Sequence, residues 1–247
     1  MIAKTAEQIN LMRKACQITK KTLEYAATLV KPLVSTLSID KLLKKFIIDS
    51  GATPSFLGYQ GFPASSCISV NDVVVHGIPS ENVILQEGDI VSIDVGVLYK
   101  GFNGDAARTF PVGKISKEKQ KLIEVTKQSF FEGISNLKVG EKLGKLSSAI
   151  QKFAERHGYS VVRELVGHGI GKNMHEAPNV PNYGKETEGI TIPENIFLAI
   201  EPMINMGRRE IYIESDGWTI RTQDGLPSAH YENTVLVTKN GVEILTL

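Results

Sequence analysis

Apolar residues in this chain follow helical spacing, then strand-like runs, and the sequence then repeats. Ile9, Met12, Ile18, Leu23 and Leu29 recur at roughly helical intervals. Thr5 with Gln8 three residues on is a capping-box signature for the start of that helix, and Pro32 ends it. Ser38 as N-cap, apolar Ile39, Leu42, Leu43, Phe46 and Ile47, and Gly51 past the end predict a second helix. Strand-like and loop segments then run to about Pro111. Ser116 opens a third helix to about Leu137, and a fourth runs from about Leu143 to His157, closed by Gly158. More strand-like segments follow from Val161.

The two halves superpose in sequence. Gly51 and Gly158, Phe46 and Phe153, and Asp94 and Glu201 are each separated by 107 residues. Around the acids, Leu85 to Asp94 runs parallel to Ile192 to Glu201: a turn, a buried strand, then a carboxylate. Agreement of helices and acid strands at one offset argues for a duplicated α-α-β unit. The halves are about 1–111 and 112–247 of a single domain, with helices on one face of mainly antiparallel sheet. That is an α+β fold whose pseudo-twofold centre takes ligands from both halves.

Within this frame, Ile90 to Leu98 and Phe102 to Phe110 read as a hairpin about Tyr99-Lys100-Gly101. A turn centred between Tyr99 and Lys100 places Asp94 directly opposite Asp105, and a slip of two residues leaves them diagonal on one face. His168 lies in Gly167-His168-Gly169-Ile170-Gly171, Glu201 ends an apolar strand before Pro202, and Glu232 runs into Val235-Leu236-Val237. The glycines do not have dinucleotide or P-loop spacing, and are expected to let backbone approach a bound substrate. Two unit charges about 4 Å apart repel by roughly 4 kcal/mol at an effective dielectric near 20. Four acids converging on one cavity therefore need a cation. Four carboxylates and one imidazole suit a pair of divalent metals, which points to metal-assisted hydrolysis. The plainer alternative for any one of the five is a solvated or capping residue.

Composition narrows the setting. With 28 Lys+Arg against 27 Asp+Glu in 247 residues, a net charge of +1 gives no reason to expect nucleic acid as substrate. Two cysteines, Cys16 and Cys67, make no disulfide framework, and no run of apolar residues is long enough to span a membrane. A cytoplasmic location is expected. Lys20, Lys21, Lys44, Lys45, Lys117, Lys119 and Lys121 read first as a solvated face, with transient docking at the ribosome as the alternative. Among the other histidines, His157 reads as a surface residue at a helix end. His76 and His175 occupy broadly equivalent places in the two halves, each ahead of its acid strand, and suit substrate contacts. Alternation puts His230 on the face of Glu232.

These residues together resemble the type I methionine aminopeptidases of the bacterial kind, with their pita-bread (creatinase/aminopeptidase) fold. The resemblance runs through Cys67 to Asn71, His76 to Pro79, Asp94 to Gly96, Gly101 to Asp105, Gly167 to Gly171, Ile200 to Pro202 and Tyr231-Glu232. It implies two divalent ions, cobalt, manganese, iron or zinc. Asp94 would be the bidentate ligand of one ion, Asp105 and Glu232 would bridge both, and His168 and Glu201 would hold the other. His76 would contact the peptide nitrogen, His175 would stabilise the oxyanion, and Glu201 would also shuttle a proton to the leaving amide nitrogen. The implied reaction removes the initiator methionine from nascent chains whose next residue is small, through a water activated between the metals, in an enzyme that is a monomer by family expectation.

The implied methionine pocket is walled by Phe56, Tyr59, Phe62, Cys67, Met174 and Trp218. Phe56, Phe62 and Met174 depart from the family's usual smaller residue, tyrosine and phenylalanine. His230 stands where glutamine is usual and is expected to donate to a ligand carboxylate such as Glu201, tuning the pH profile. Two other readings stand beside this one: a dipeptidase or creatinase-like hydrolase, and a catalytically dead binding module. The short N-terminus counts against the first, and retention of all five ligands against both.

Overall fold

A computed structural model describes residues 1–247. The first half contains α1 (Ala6–Leu29), α2 (Thr36–Asp49), β1 (Thr53–Pro54), β2 (Cys67–Val70), β3 (Val73–Val75), β4 (Ile90–Tyr99) and β5 (Phe102–Pro111). The second opens with α3 (Lys117–Ser135) and α4 (Gly144–Arg156), then β6 (Ser160–Val161), β7 (Gly167–Gly169), β8 (Glu176–Val180) and β9 (Ile196–Ile200). It closes with β10 (Met203–Asn205), β11 (Ile211–Ile213), β12 (Ile220–Thr222), β13 (Ser228–His230), β14 (Asn233–Thr238) and β15 (Gly241–Ile244). All strand pairings are antiparallel.

The duplication is visible in strand order. In the first half β4 lies between β2 and β5; in the second, β9 lies between β7 and β14. Strand alternation then decides which side chains reach the centre. Val91, Ile93 and Val95 of β4 join Leu23, Ala26, Ile39 and Leu43 of α1 and α2 in one apolar cluster, so Asp94 faces the other way. Leu198 and Ile200 of β9 and Val235 and Val237 of β14 pack with Phe130, Leu146 and Ile150 of α3 and α4. The pita-bread arrangement follows: helix pairs outside, two antiparallel layers inside, acids on the inner face.

The halves are joined where β5 meets the start of β14. The Asp105 amide donates to Thr234 Oγ1 (3.0 Å), the Thr234 hydroxyl donates to the Asp105 carbonyl (2.8 Å), and the Glu232 amide donates to the Ala107 carbonyl (3.0 Å). No helix is long and apolar enough to cross a membrane.

Two details differ from the sequence reading. The second helix is capped by Ser35, whose hydroxyl accepts from the Ser38 amide (3.2 Å), so Ser38 sits inside the first turn. Ser35 also forms a bridge with Ile84, which fixes it in the extended conformation that an N-cap requires. The β4–β5 turn is the two-residue Lys100-Gly101, both with positive φ (46° and 82°), the signature of a type I′ hairpin. That turn pairs Asp94 with Ala107 and Asp105 with Gly96. The two acids are therefore diagonal neighbours, not direct partners, and still share one face.

Candidate metal centre

The five ligand candidates come from five separate places and meet at one cavity. Asp94 lies mid-β4, Asp105 mid-β5, His168 on β7, Glu201 one residue past β9, and Glu232 in the break between β13 and β14. All five line a cavity of about 290 Å³, together with Phe56, Tyr59, Gln60, Phe62, Cys67, His76, His175 and Trp218. Donor atoms of Asp105, His168 and Glu232 lie within 4.8 Å of one another. Nε2 of His168 is 3.7 Å from Asp105 Oδ2 and 3.6 Å from Glu201 Oε1. These atoms form a group able to hold a metal ion.

The chemistry of the donors fits a cation. Asp94 Oδ1, Asp105 Oδ1 and Glu232 Oε1 are buried without a hydrogen-bond partner, an expensive state for an acceptor. Burial raises the Asp94 carboxyl to about 7, against the pull of a hydrogen bond with Asp105. Asp105 is pushed well up by burial and then by Glu232 and Asp94, and Glu201 by burial and then by Asp105 and Asp94. Glu232 is raised by burial, then by Asp94 and Glu201, while the Arg108 guanidinium pulls it back. A cluster that retains protons to this degree is one in which divalent charge displaces protons.

His168 is set up as a ligand by its other nitrogen. Nδ1 lies 3.0 Å from the Gly169 carbonyl, which can only accept. The proton is therefore on Nδ1, and the Nε2 lone pair faces the carboxylates. Its flanking glycines let neighbouring backbone come close. A Cβ on Gly167 would lie 2.4 Å from the Ala199 carbonyl oxygen, and one on Gly169 would lie 2.3 Å from that of Ala177. His76 has φ +58°, a conformation that costs energy in a non-glycine residue, and its ring meets Trp218 edge-on at 6.3 Å. Burial lowers His76 to about 4, with His175 contributing.

Of the expected pocket residues, Phe56, Tyr59, Phe62, Cys67 and Trp218 line the cavity, and Met174 does not. Met174 is buried in the apolar cluster that also contains Phe62 and Cys67. Phe62 and Trp218 meet edge-on at 5.1 Å. The Phe56 ring is admitted by Gly96, where a Cβ would come within 2.6 Å of it. His230 is buried behind the lining. Its unpartnered Nε2 stands 3.8 Å from Glu201 Oε2 and 3.9 Å from Glu232 Oε2, too far for a direct hydrogen bond. Its expected donation to Glu201 is thus not made in this geometry.

Two features were not anticipated. Gln60, next to Tyr59 in the 3₁₀ turn Tyr59–Gly61, is a lining residue. Arg108 is a clamp behind the acids: its guanidinium donates to the Glu232, Ala107 and Thr246 carbonyls and to Asn233 Oδ1, and lies over the Tyr231 ring at 4.3 Å. Arg108→Met keeps the stem but takes a donor from each of these acceptors and leaves the Thr246 carbonyl with none. The expected loss is about 3 kcal/mol of folding stability. Urea midpoints read this, and a loss below about 0.5 kcal/mol would contradict the clamp.

The titrations set a second expectation. Acids whose folded values are raised stabilise the fold at low pH and lose that contribution as pH climbs through those values. The buried histidines oppose this. His76 and His168 are lowered to about 4 and His230 to about 3, in each case first by burial. Their contribution is complete above 6.5 and is lost as pH falls. Below pH 6.5 the trends cancel in part; above it the carboxylates alone act. Melting temperatures of metal-free protein should therefore fall from pH 6.5 upward, and divalent metal should reverse the fall. A flat metal-free curve would contradict the assignment.

The sequence profile described as Metallopeptidase family M24 matches residues 10–239. The chain belongs to that family. Among its members, the methionine aminopeptidase of Clostridium acetobutylicum is 50% identical over 247 residues, covering 100% of this chain and 99% of the relative. That of Clostridium perfringens is 51% identical over 247 residues with the same coverage. The crystal structure of methionine aminopeptidase from Rickettsia prowazekii superposes with a TM-score of 0.97 at 43% identity, covering 100% of both chains. Like these family M24 proteins, the chain is a metal-dependent hydrolase of the aminopeptidase type.

Proposed function

We propose that this chain removes methionine from the N-termini of peptides and nascent proteins whose second residue is small, as a single catalytic domain carrying two divalent ions. The observation that carries the reading is the convergence of four carboxylates and one imidazole, with orphaned acceptors, on one cavity that aromatic side chains also line. Asp94 would serve one ion, His168 and Glu201 the other, and Asp105 and Glu232 both. When bound, the pair supplies Lewis acidity and activates water near neutral pH.

The chain's own residues supply the rest. Phe56, Tyr59, Phe62, Cys67 and Trp218 offer apolar, sulfur-tolerant walls to a methionine side chain. A free α-amine would bind the metal on the Asp94 side, which favours exopeptidase over internal cleavage. Glu201 carries a proton to the leaving amide nitrogen, and His76 contacts that nitrogen. His175, lowered by burial and so neutral near pH 7, donates to the developing oxyanion.

The test is cleavage of Met-Ala-Ser against Met-Leu-Ser and Ala-Pro by protein reconstituted with Mn²⁺ or Co²⁺. Release of methionine from Met-Ala-Ser alone is expected. Preference for Ala-Pro would favour a dipeptidase, and no turnover with bound metal a binding module.

A further inference from the structure

We propose that Tyr59 is a positioning residue for the reaction, whose hydroxyl fixes the tautomer of His175 so that Nε2 carries the proton. This deepens the reading of His175 as the oxyanion donor and rests on it.

The geometry places the Tyr59 hydroxyl 2.8 Å from His175 Nδ1, across 116 residues of sequence. The two rings lie 5.3 Å apart and are tilted by 34°. A phenol is a good donor and a weak acceptor, an imidazole nitrogen is a good acceptor, and the Tyr59 hydroxyl makes no other hydrogen bond within the protein. The proton of this bond therefore belongs to the tyrosine. A neutral imidazole that accepts at Nδ1 must carry its own proton at Nε2, which makes Nε2 a donor.

The neighbouring histidine is set the opposite way. His168 lies 4.2 Å from His175, ring to ring, and its Nδ1 donates to the Gly169 carbonyl. One imidazole thus presents a lone pair for a cation, and the next presents a proton for an oxyanion. The difference lies in what each Nδ1 touches, a carbonyl or a hydroxyl. The tyrosine is held for this purpose by a tight loop. The Tyr59 amide donates to the Phe56 carbonyl (3.0 Å), the Phe62 amide to the Tyr59 carbonyl (2.9 Å), and the Gly58 amide to the Phe62 carbonyl (2.9 Å). Gln60 within it has φ +49°, a strained value for a residue with a side chain.

Tyr59→Phe separates this role from that of a pocket wall, because it removes the hydroxyl and keeps the ring. With Met-Ala-Ser as substrate, kcat should fall about tenfold with KM nearly unchanged, since a misplaced proton weakens only the interaction made in the transition state. The independent readout is ¹⁵N NMR of histidine-labelled, zinc-loaded protein. In the wild type, His175 should show a protonated Nε2 and a bare Nδ1; in Tyr59→Phe the two tautomers should mix. A wild-type His175 protonated on Nδ1, or an unchanged tautomer in Tyr59→Phe, overturns the proposal. The NMR result stands whether or not the wild type cleaves Met-Ala-Ser, so failure of the tautomer assignment is distinguishable from failure of the assigned activity.

Discussion

Asp105→Asn is expected to abolish turnover of Met-Ala-Ser, with a loss of at least roughly 10³-fold, because a neutral amide cannot bridge two cations. Asp105 is buried between strands of the two halves, and its carboxyl is raised by burial and by Glu232 and Asp94. The same substitution replaces a carboxyl that must take up a proton to be buried with an amide that is neutral in both states. Without metal, the variant should therefore be more stable than the wild type above pH 6.5, by about 1–3 kcal/mol. Added metal should stabilise the wild type and barely move the variant. Activity assays and melting curves with and without Mn²⁺ check both. An active, metal-stabilised Asp105→Asn would remove Asp105 from the centre.

His175→Ala should behave differently. His175 is half out in solvent, and its side chain bonds only to Tyr59 within the protein. Its loss leaves the acids and His168 in place, so metal content and fold should be retained. The value of kcat/KM should fall by about 10²–10³-fold, the usual cost of removing one oxyanion donor. Unchanged kcat/KM would strike His175 from the mechanism. The two variants together separate holding a cation from stabilising the transition state.

The sequence carried the helices because their caps and periodicity are local. Thr5, Ser116, Gly51 and Gly158 mark ends that the structure reproduces. Ser35 and Ser38 both satisfy the N-cap preference, and the choice between them comes from the Ile84 bridge, which is a tertiary contact. The hairpin register turned on Lys100 at φ 46°, a conformation that lysine does not advertise. Strand alternation still put Asp94 and Asp105 on one face, so the metal centre survived the two-residue error.

What stayed hidden depends on side chains that meet across the fold. Arg108 reaches Glu232 over 124 residues, and Thr234 reaches Asp105 over 129. No spacing rule links such pairs. Met174 was expected at the wall from the family resemblance, but in an irregular segment its side chain turns into the apolar cluster instead. His230 was found near Glu201, yet position alone did not reveal the 3.8 Å gap.

Diffraction from crystals soaked in Mn²⁺ or Co²⁺, recorded at the metal absorption edge, tests most directly whether both halves jointly cage the ions. Two anomalous peaks should appear, one toward Asp94 and one toward His168 and Glu201, with Asp105 and Glu232 reaching both. An empty cavity, or metal bound elsewhere on the chain, would contradict it.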